Sequence, residues 1–379
     1  MSSTLRICSQ LVLDSTYPDI TFDKDGVCDQ YHFYNSELLP RWPYPNNKAN
    51  ELDQLISKVK REGKNKSYDC IVGLSGGLDS SYMLDLIVNK YSLRPLVFHV
   101  DAGWNSDISV RNIHSLVNGL DLDLYTEVAD WSEVKSFQLS LLRSGVPHID
   151  LAQDMAFIAV LYQYARRFKI KYIFNGGNIA TEGVMRPFKY FYWGSDVYHL
   201  KQIHKKFGQK KLKKFKFSSP IMHKFINPLL LGTKVIKPLN YIDYNKANAL
   251  SYLKNKYGYV PYPEKHYESR FTRFYEGFWL RSRFDFDIRT VDYSSLILSG
   301  QMTREQALAS LAIPPLDDLT ISQEFNYVAS KLDLSPSQLW ELHRLPLQFY
   351  YDYPNSSRFF EFGSKVLSKF SSSVRGGSI

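Results

Sequence analysis

Cysteine is scarce in this chain of 379 residues, and no apolar run is long. The three cysteines, Cys8, Cys28 and Cys70, are too few for a disulfide framework, and we expect them to be reduced. The longest apolar stretches, such as FIAVL at 157–161, fall far short of the roughly 20 residues that a membrane-spanning helix needs. The opening MSSTLRICSQLVLDS has a single arginine and too short an apolar run for a secretory signal. We therefore expect a cytoplasmic protein with no membrane partner.

Acidic residues are the minority among the charged ones. Lys and Arg number 47 against 38 Asp and Glu, a formal net charge of +9. This excess favours an anionic partner, such as a nucleotide, a sugar phosphate or RNA. The hydrophobic fraction of 44% and the charged fraction of 22% are typical of a globular protein, which excludes a disordered, collagenous or coiled-coil chain.

Hydrophobic periodicity divides the chain into three predicted regions. Residues 1–67 form a small N-terminal unit whose prolines interrupt any long pattern before the helix-like ANELDQLISKVKREGK. Residues 68–240 contain the strand patterns DCIVG, PLVFHVD, DLYTEV and KYIF, separated by helical patterns. Residues 241–379 are mainly helical. The pattern predicts an α/β fold with a doubly wound parallel sheet, whose ligand lies at the carboxyl ends of the strands.

Two shorter segments within these regions carry predictions of their own. The part of the second region after Gly183 is irregular and rich in Tyr, Phe and Lys, and we interpret it as an insertion over the sheet. In the third region, Thr303 precedes Gln306 by three residues in TREQALASLA, which is the pattern of a capping box at a helix start.

The segment GLSGGLDSS at 73–81 lies between the first strand and its helix. Gly76 and Gly77 have no side chains, so their backbone amides can approach phosphate oxygens, and the helix N-terminus adds partial positive charge. The segment lacks the Gly-Lys-Ser/Thr ending of a Walker A loop and the G-x-G-x-x-G of a dinucleotide site. The pattern favours an anion-binding loop over a plain glycine turn in which Asp79 caps the helix.

This SGG-x-DS loop resembles that of the PP-loop ATPases, and the resemblance covers roughly residues 68–240. It implies that ATP and Mg²⁺ are cofactors, and that ATP is split into AMP and pyrophosphate as a substrate oxygen is adenylated. Asp79 would help to hold Mg²⁺, and Ser75 and Asp79 would be catalytic. The nucleotide-binding residues that the resemblance implies are Leu74, Ser75, Gly76, Gly77, Asp79, Ser80, Ser81, Val100 and Asp101. For Asp101, a plain turn residue is an equally good interpretation.

The whole chain is similar to the N-acetyl sugar amidotransferases of bacterial surface polysaccharide pathways. The segments that carry this similarity are TYPDITFDKDGVCDQY, KHYESRFTRF at 265–274 and SSLILSGQMTREQAL. The resemblance implies that an acetamido group of a nucleotide-linked sugar in lipopolysaccharide O-antigen synthesis becomes an acetamidino group, through an adenylated imidate and ammonia. Orientation and stabilisation of charge at the α-phosphate would provide most of the catalysis.

Substrate-binding residues are expected after the fourth strand and in the 265–274 block. Lys265 is also a candidate catalytic residue. Arginine side chains offer bidentate contacts to a diphosphate or a carboxylate. For Glu182 a surface carboxylate is nearly as good an interpretation, and Arg281 and Arg283 fit a solvated helix face better. The candidate substrate residues are Asn175, Gly176, Asn178, Glu182, Lys265, His266, Arg270 and Arg273.

The chain departs from the family at its N-terminus. The family often has paired CxxC elements suited to a structural zinc site, but Leu11 and Tyr31 stand where the second cysteine of each pair would follow Cys8 and Cys28. Two thiolates with no nearby histidine cannot complete a tetrahedral site. We therefore expect no structural zinc and a unit held by packing.

The source of ammonia can also be inferred from the sequence. A glutaminase needs a nucleophilic cysteine at a mature N-terminus or on a glycine-flanked turn. The chain begins Met1-Ser2, and Cys70 lies inside the first predicted strand, where a buried thiol is expected. We therefore expect a separate glutaminase partner, with a cyclase-like channel subunit as a further candidate.

Two other classes of function remain as alternatives. A PP-loop tRNA-modifying enzyme, lysidine-forming or thiolating, is suggested by the eight lysines at 201–216, which alternate with phenylalanines. Such runs are more often solvated loops, so nucleic acid is the less favoured partner. A catalytically inactive binding module is the second alternative. The general acid or base is unassigned; the candidates by residue type, each better explained structurally, are His99, His148, His199, His204 and His223.

Overall fold

The computed structural model describes residues 5–46, 48–217 and 232–357. Its centre is a sheet of five parallel strands in the order β3-β2-β1-β4-β5. The strands are β1 Cys70–Gly73, β2 Pro95–Asp101, β3 Leu124–Val128, β4 Tyr172–Phe174 and β5 Lys234–Ile236.

Helices cover both faces of the sheet and make up the C-terminal region. The α-helices of the described residues are α1 Asp29–Phe33, α2 Ala49–Gly63, α3 Leu78–Asp85, α4 Asp107–Gly119, α5 Trp131–Ser144, α6 Leu151–Arg167, α7 Ile179–Glu182, α8 Val197–Phe207, α9 Lys246–Tyr257, α10 Arg270–Phe274, α11 Leu280–Phe284, α12 Arg289–Leu298, α13 Arg304–Leu311, α14 Asp318–Lys331 and α15 Pro336–His343. Single π-helical turns lie at Tyr34–Leu38, Leu86–Lys90 and Tyr275–Trp279, and short 3₁₀ turns at Leu39–Arg41, Pro238–Tyr241 and Tyr350–Asp352.

Successive residues of the central strands are buried on opposite faces of the sheet. Ile71 of β1 packs in a cluster with Val160 of α6. The next residue, Val72, packs on the other face in a cluster with Ile113 of α4. Because both faces are covered, the strands are apolar almost throughout. The prediction of a doubly wound α/β fold with a helical C-terminal region is confirmed.

The strand order reverses at β1, since the chain adds β2 and β3 on one side and β4 on the other. Loops that follow strands on the two sides of such a point diverge and leave a crevice at the carboxyl end of the sheet. Here the loops after β1 and β4 border that crevice, and they approach each other closely. A Cβ added to Gly176, after β4, would lie 2.8 Å from the backbone nitrogen of Ser80 in α3. Glycine at 176 therefore brings the β4 loop against the first turn of α3.

All four predicted strands are present, but the region after Gly183 differs from the prediction. It contributes β5, which pairs in parallel with β4 through Tyr172 and Lys234, and helix α8, which packs on α5. The interpretation of this region as an irregular insertion was therefore wrong for 197–207 and 234–236. Strand β5 has three residues and a largely exposed surface, so its sequence carries little apolar signal. Residues 218–231 lie outside the described part of the chain.

The N-terminal unit packs into the same buried cluster as the C-terminal helices. Cys8, Leu11 and Cys28 are fully buried there. The Arg304 guanidinium, from α13, donates hydrogen bonds of 2.9 Å to the Cys8 carbonyl and 3.0 Å to the Leu11 carbonyl. Among the described residues, no group of three or more His, Cys, Asp or Glu side chains is placed to hold a metal ion. The contacts that join this unit to the rest of the chain include the buried cluster, the Arg304 hydrogen bonds, the Val12 N–H to the Ser294 hydroxyl at 3.3 Å and the Tyr17 hydroxyl to the Met185 carbonyl at 3.0 Å.

Two further features concern the helices. The Thr303 side chain accepts from the Gln306 backbone N–H, and the Gln306 side chain accepts from that of Thr303, which confirms the capping box. No helix in the three described ranges combines the length and the apolar character needed to cross a bilayer.

Candidate active site

A cavity of about 740 Å³ opens at the carboxyl ends of β1 and β4. One wall is the loop after β1, and a second is the first turn of α6. The segment at 259–276 of the C-terminal region closes the opposite side. The cavity therefore lies where the strand order predicts a ligand, and it is bounded by both the sheet and the C-terminal region.

The anion-binding loop is fixed by contacts from the C-terminal region. Gly76 has a φ of +84°, a conformation that favours glycine, and a Cβ there would lie 2.9 Å from the Ser109 carbonyl oxygen. The buried Gly76 carbonyl accepts hydrogen bonds of 3.1 Å from the hydroxyl groups of both Tyr259 and Tyr262. The two tyrosines thus hold this peptide group in one orientation.

The loop serines divide into two groups. Ser75 and Ser80 line the cavity, and their hydroxyl oxygens are 3.4 Å apart. Ser81 is 1% exposed, does not line the cavity, and donates to the Gly77 carbonyl oxygen at 2.7 Å. Leu74 lines the cavity beside Ser75. The structure therefore gives Ser81 a role in closing the first turn of the helix.

Asp79 lies in the first turn of α3 and lines the cavity. Its carboxylate accepts hydrogen bonds from the hydroxyl of Thr181, at 3.2 Å, and from that of Tyr244. Burial and the Asp79 charge raise the pKa of Tyr244 well above its ordinary value, so this donor keeps its proton. Each carboxylate oxygen keeps a free lone pair. An oriented carboxylate beside a phosphate-type loop is the hard oxygen donor that Mg²⁺ prefers, so the residues present fit that ion.

The end of β2 is only partly in the cavity. Val100 lines it, whereas Asp101 does not; the Asp101 carboxylate accepts the Gly103 N–H at 2.8 Å, as a turn residue does. His99 lines the cavity, but its Nδ1 lies 2.8 Å from the Leu74 carbonyl oxygen and its Nε2 lies 2.9 Å from Asn105. Burial lowers the pKa of His99, so the ring is neutral and links β2 to the anion-binding loop.

The loop after β4 brings two of its predicted residues to the cavity wall, Asn175 and Gly176. Asn178 is 2% exposed and is not part of the lining. Its side chain accepts the Thr181 N–H at 2.9 Å and so caps α7. Asn178 therefore shapes the loop without facing the cavity.

Lys265 and Glu182 form an ion pair of 2.9 Å in the cavity. The Lys265 ammonium also lies 3.4 Å from the carbonyl oxygen of Thr181, the residue whose hydroxyl hydrogen-bonds Asp79. Burial acts to lower the pKa of Lys265, but the carboxylates of Glu182 and Asp79 outweigh it and raise the pKa above its ordinary value. Lys265 is therefore a permanent positive charge between the anion-binding loop and Glu182.

His266 belongs to a group with Arg186 and Glu276. The Arg186 guanidinium lies 2.9 Å from His266 Nδ1 and 3.2 Å from Glu276, and His266 Nδ1 is 3.7 Å from Glu276. Burial and Arg186 act to lower the pKa of His266, Glu276 acts to raise it, and the net shift is upward. The shorter contact comes from a guanidinium N–H, which can only donate, so Nδ1 is unprotonated in this arrangement. His266 has a φ of +64°, which turns its ring into the cavity.

The structure does not bring Arg270 and Arg273 into the cavity. Both guanidinium groups pair with Glu324 of α14, which is 2% exposed; the Arg270 contact is 2.8 Å. Arg270 also lies 3.4 Å above the Tyr327 ring. These arginines hold α10 to α14, and we leave them out of the candidate site. Arg283 donates to backbone carbonyls, including that of Pro346 at 3.2 Å.

Sequence reasoning missed most of the acidic residues of the cavity. They come from six separate segments, and only two pairs are close in sequence, Asp150 with Asp154 and Glu264 with Glu268, each four residues apart. Glu268 is placed beside the anion-binding loop, 2.8 Å from the position of a Cβ on Gly77. The acidic lining residues are Asp79, Asp150, Asp154, Glu182, Glu264, Glu268, Glu276 and Asp292.

The remaining histidines and the lysine run lie away from the cavity. His148 and His199 are buried with their Nε2 atoms 3.1 Å apart, and His204 Nε2 lies 2.7 Å from the Lys210 carbonyl oxygen. His223 lies outside the described residues. The rings of Phe215 and Phe217 pack on Phe137, with centroids 5.1 Å and 5.5 Å away, so they are not free to stack on nucleic-acid bases.

In comparisons with known proteins, a family model matches part of the C-terminal region. Residues 268–367 match the family model described as "LPS biosynthesis protein WbpG-like, C-terminal domain". For this segment, the match supports the predicted resemblance at the level of a domain of lipopolysaccharide biosynthesis proteins. The segment includes Glu268 and Glu276 of the cavity.

Individual relatives are more distant. The uncharacterized protein MJ1599 of Methanocaldococcus jannaschii is 25% identical over 143 residues, which is 37% of this chain, and the chain spans about half (50%) of that relative's length. The NH3-dependent NAD synthetase of Campylobacter jejuni shares 16% identity over 55% of this chain and 96% of its own, with a TM-score of 0.28. The NMN synthetase of Francisella tularensis shares 16% identity over 56% of this chain and 93% of its own, also with a TM-score of 0.28.

Proposed function

We propose that the protein is an ATP-dependent amidotransferase that converts the acetamido group of a nucleotide-linked sugar into an acetamidino group in lipopolysaccharide O-antigen biosynthesis. One observation carries the proposal: the SGG-x-DS loop and the Lys265-His266 pair, which belong to different parts of the chain, line a single cavity. The match of residues 268–367 to a lipopolysaccharide biosynthesis domain supports the pathway. The volume of about 740 Å³ suits a sizeable organic ligand.

In this proposal the loop after β1 binds the phosphates of ATP. Gly77 and the first turn of α3 line the cavity and would face the anion, whereas Gly76 is not part of the lining. The Gly77 N–H donates to the Ser75 hydroxyl at 3.2 Å, and Ser75 and Ser80 would add hydroxyl donors. Asp79 would hold Mg²⁺, which supplies charge neutralisation at the phosphates when bound. Lys265 keeps its positive charge and can stabilise charge at the α-phosphate as it transfers.

The reaction has two bond-exchange steps. The amide oxygen of the acetamido group bonds to the α-phosphorus and the bond to pyrophosphate breaks, which gives an O-adenylyl imidate. The nitrogen of ammonia then bonds to the imidate carbon, the carbon–oxygen bond to AMP breaks, and the former ammonia nitrogen loses one proton. The product is an amidinium cation. An amide carbon is a poor electrophile, and adenylation gives it a good leaving group.

A separate glutaminase would supply the ammonia. The three cysteines are 0% exposed, and burial raises the pKa of Cys70 well above its ordinary value. The hydrogen bond with Cys28 lowers the pKa of Cys8, but a glutaminase nucleophile must also be reached by glutamine, and none of the three buried thiols lines the cavity.

The experiment that tests the proposal is release of AMP and pyrophosphate from ATP with ammonium chloride, across a panel of acetamido nucleotide sugars and with bulk tRNA. We expect AMP only with one or a few sugars, at a rate lowered about 10²-fold or more in Asp79→Ala. Asp123→Ala, an exposed carboxylate away from the cavity, is the matched control and should match the unmodified protein. AMP formed only with tRNA would replace this function by that of a tRNA-modifying enzyme.

A further inference from the structure

The C-terminal region places a carboxylate directly beside the anion-binding loop. The Oε1 atom of Glu268 lies 2.8 Å from the position of a Cβ on Gly77, and the Ser75 hydroxyl oxygen lies 3.2 Å from the same point. All three residues line the cavity. A phosphate bound at this loop would lie close to the Glu268 charge, and like charges repel each other. The arrangement therefore calls for a cation between Glu268 and the phosphate.

The backbone fixes the position of Glu268. Its carbonyl oxygen accepts the Ser106 N–H at 3.0 Å, and Asn105 and Ser269 form an isolated antiparallel bridge. The Ser269 side chain accepts the Thr272 N–H at 3.2 Å and so caps α10. Glu268 is therefore held between the loop after β2 and the first turn of α10, where its side chain reaches the anion-binding loop.

Glu268 differs from neighbouring carboxylates in having no basic partner. Glu182 pairs with Lys265 at 2.9 Å, and Glu276 pairs with Arg186 at 3.2 Å. Glu268 forms no ion pair with another residue in the described part of the chain. Burial raises its pKa, so the surroundings do not fully offset the loss of water around this carboxylate. The charge of Glu268 is thus left for a ligand to balance.

The two sides of the loop offer the protein ligands of a nucleotide-bound magnesium ion. Mg²⁺ is usually held by one or two carboxylates together with phosphates and waters. Asp79, in the first turn of α3, supplies one carboxylate, and Glu268 supplies another on the Gly77 side. Within the described ranges, no cluster of three acidic, histidine or cysteine side chains could hold the ion alone. The ion and the nucleotide would therefore bind together.

We propose that Glu268 is a second protein ligand of the magnesium ion, together with Asp79, and that its charge excludes ATP that carries no metal. This proposal rests on the ATP-binding part of the proposed function. Without the ion, the Glu268 carboxylate repels the phosphates; with the ion, the same carboxylate helps to bind it. The site thus selects Mg²⁺-ATP over free ATP. Glu268 is also the first residue of the segment that matches the lipopolysaccharide biosynthesis domain, so this region supplies part of the nucleotide site.

Calorimetric titration of the full chain with ATP, once with Mg²⁺ and once with EDTA, tests the proposal. For the unmodified protein we expect the Kd for ATP to be about 100-fold higher in EDTA. Glu268→Gln should lower the Kd in EDTA about tenfold, because the repulsion is removed. The same variant should raise the Kd with Mg²⁺ about tenfold, because a neutral amide is a weaker ligand than a carboxylate. The two Kd values should therefore become nearly equal.

Glu264→Gln is the matched control. It makes the same change to a cavity carboxylate that already accepts a hydrogen bond from Tyr293, at 2.7 Å. Its ratio of Kd values in EDTA and in Mg²⁺ should equal that of the unmodified protein. The urea midpoint of Glu268→Gln shows whether this variant is folded, and we expect it to be close to that of the unmodified protein.

Crystals of the full chain with Mn²⁺ and a non-hydrolysable ATP analogue identify the ligands directly. Mn²⁺ takes the same oxygen ligands as Mg²⁺ and scatters anomalously. We expect one anomalous peak within about 2.0–2.6 Å of carboxylate oxygens from both Asp79 and Glu268. A peak that Glu268 does not contact, a Kd ratio that Glu268→Gln leaves unchanged, or Kd values that rise equally with and without the metal would overturn the proposal.

Failure of the proposed function gives a different result. A protein that shows the expected peak and Kd ratio but forms no AMP with any acetamido sugar would support the magnesium site and overturn the proposed function. An unmodified protein that binds no ATP in the presence of Mg²⁺ would overturn both.

Discussion

Replacing Tyr259 and Tyr262 with phenylalanine removes the two hydroxyl groups that hold the anion-binding loop. Both donate to the Gly76 carbonyl oxygen at 3.1 Å, and Gly76 is buried. With one hydroxyl removed, the carbonyl keeps the other donor, and we expect a loss of about 1 kcal/mol in the free energy of unfolding. With both hydroxyl groups removed, the carbonyl keeps no donor among the described residues. We then expect the free energy of unfolding to fall by about 3 kcal/mol, which is more than the sum of the two single changes.

The same double variant should bind ATP more weakly. The Gly76 peptide can turn away from the conformation that presents its neighbours' amides to phosphate, and part of the binding energy then restores it. We expect the Kd for ATP to rise about tenfold, which corresponds to about 1.4 kcal/mol. Each single variant should bind ATP nearly as the unmodified protein does.

The assays are urea unfolding and calorimetric titration with ATP and Mg²⁺. Tyr252→Phe is the matched control, because the Tyr252 hydroxyl is also hydrogen-bonded, to Lys256 at 2.8 Å, but on the exposed surface. It should change neither quantity measurably. Strictly additive losses of stability together with an unchanged Kd in the double variant would refute the view that the C-terminal region fixes the anion-binding loop.

Three further predictions concern other parts of the molecule. Lys265→Met should lower the single-turnover rate of AMP formation about 10²-fold or more with little change in the Kd for ATP, whereas weaker ATP binding at an unchanged rate would contradict its role at the α-phosphate. Burial raises the pKa of Asp150 above its ordinary 3.8, so its contribution to the free energy of unfolding is complete below about pH 4 and is lost as the pH rises through the folded-state value. Urea unfolding between pH 4 and 8 should show a smaller loss of unfolding free energy in Asp150→Asn than in the unmodified protein. Parallel pH curves for the two proteins would contradict this prediction. Arg304→Met should cost about 1–3 kcal/mol of unfolding free energy, since it leaves the Cys8 and Leu11 carbonyls without these donors. An unchanged urea midpoint would contradict a stabilising role for these two hydrogen bonds.

Much of the fold could be predicted because its signals are local. Four strands are fully or partly buried and regularly spaced along the chain. The glycines and serines of the SGG-x-DS loop predict an anion-binding loop from the sequence alone. Strand β5 could not be predicted, because it has three residues and its pairing with β4 is a long-range contact. Helix α8 was missed for a related reason: its buried face, with Leu200 and Ile203, lies among lysines that dominate the composition.

The site was predictable where a short motif carries several of its residues. Lys265 and His266 lie in the cavity as expected, and so does Glu182. The same motif also led to a wrong prediction, because two of its residues do not lie in the cavity. Arg270 and Arg273 follow Lys265 closely in sequence, but the helix that begins at 270 turns them toward Glu324, which is 54 residues beyond Arg270.

The acidic part of the cavity could not be predicted for a different reason. Asp154 and Glu276 are each ordinary residues of a helical pattern, and they meet only in the folded chain, where α6 and the segment at 259–276 line the same cavity. The local signals were two four-residue spacings, that of Asp150 and Asp154 and that of Glu264 and Glu268. Without the fold, that spacing is common on solvent-exposed helices.

The most direct measurement of the central claim follows the oxygen atom of the acetamido group. A nucleotide sugar with ¹⁸O in that group is incubated with the protein, ATP, Mg²⁺ and ammonium chloride, and the products are analysed by mass spectrometry. We predict that the label appears in AMP and that the sugar product is lighter than the labelled substrate by the difference between ¹⁸O and NH. Label that stays in the sugar, or AMP that forms without label, would contradict the adenylated imidate and with it the proposed function.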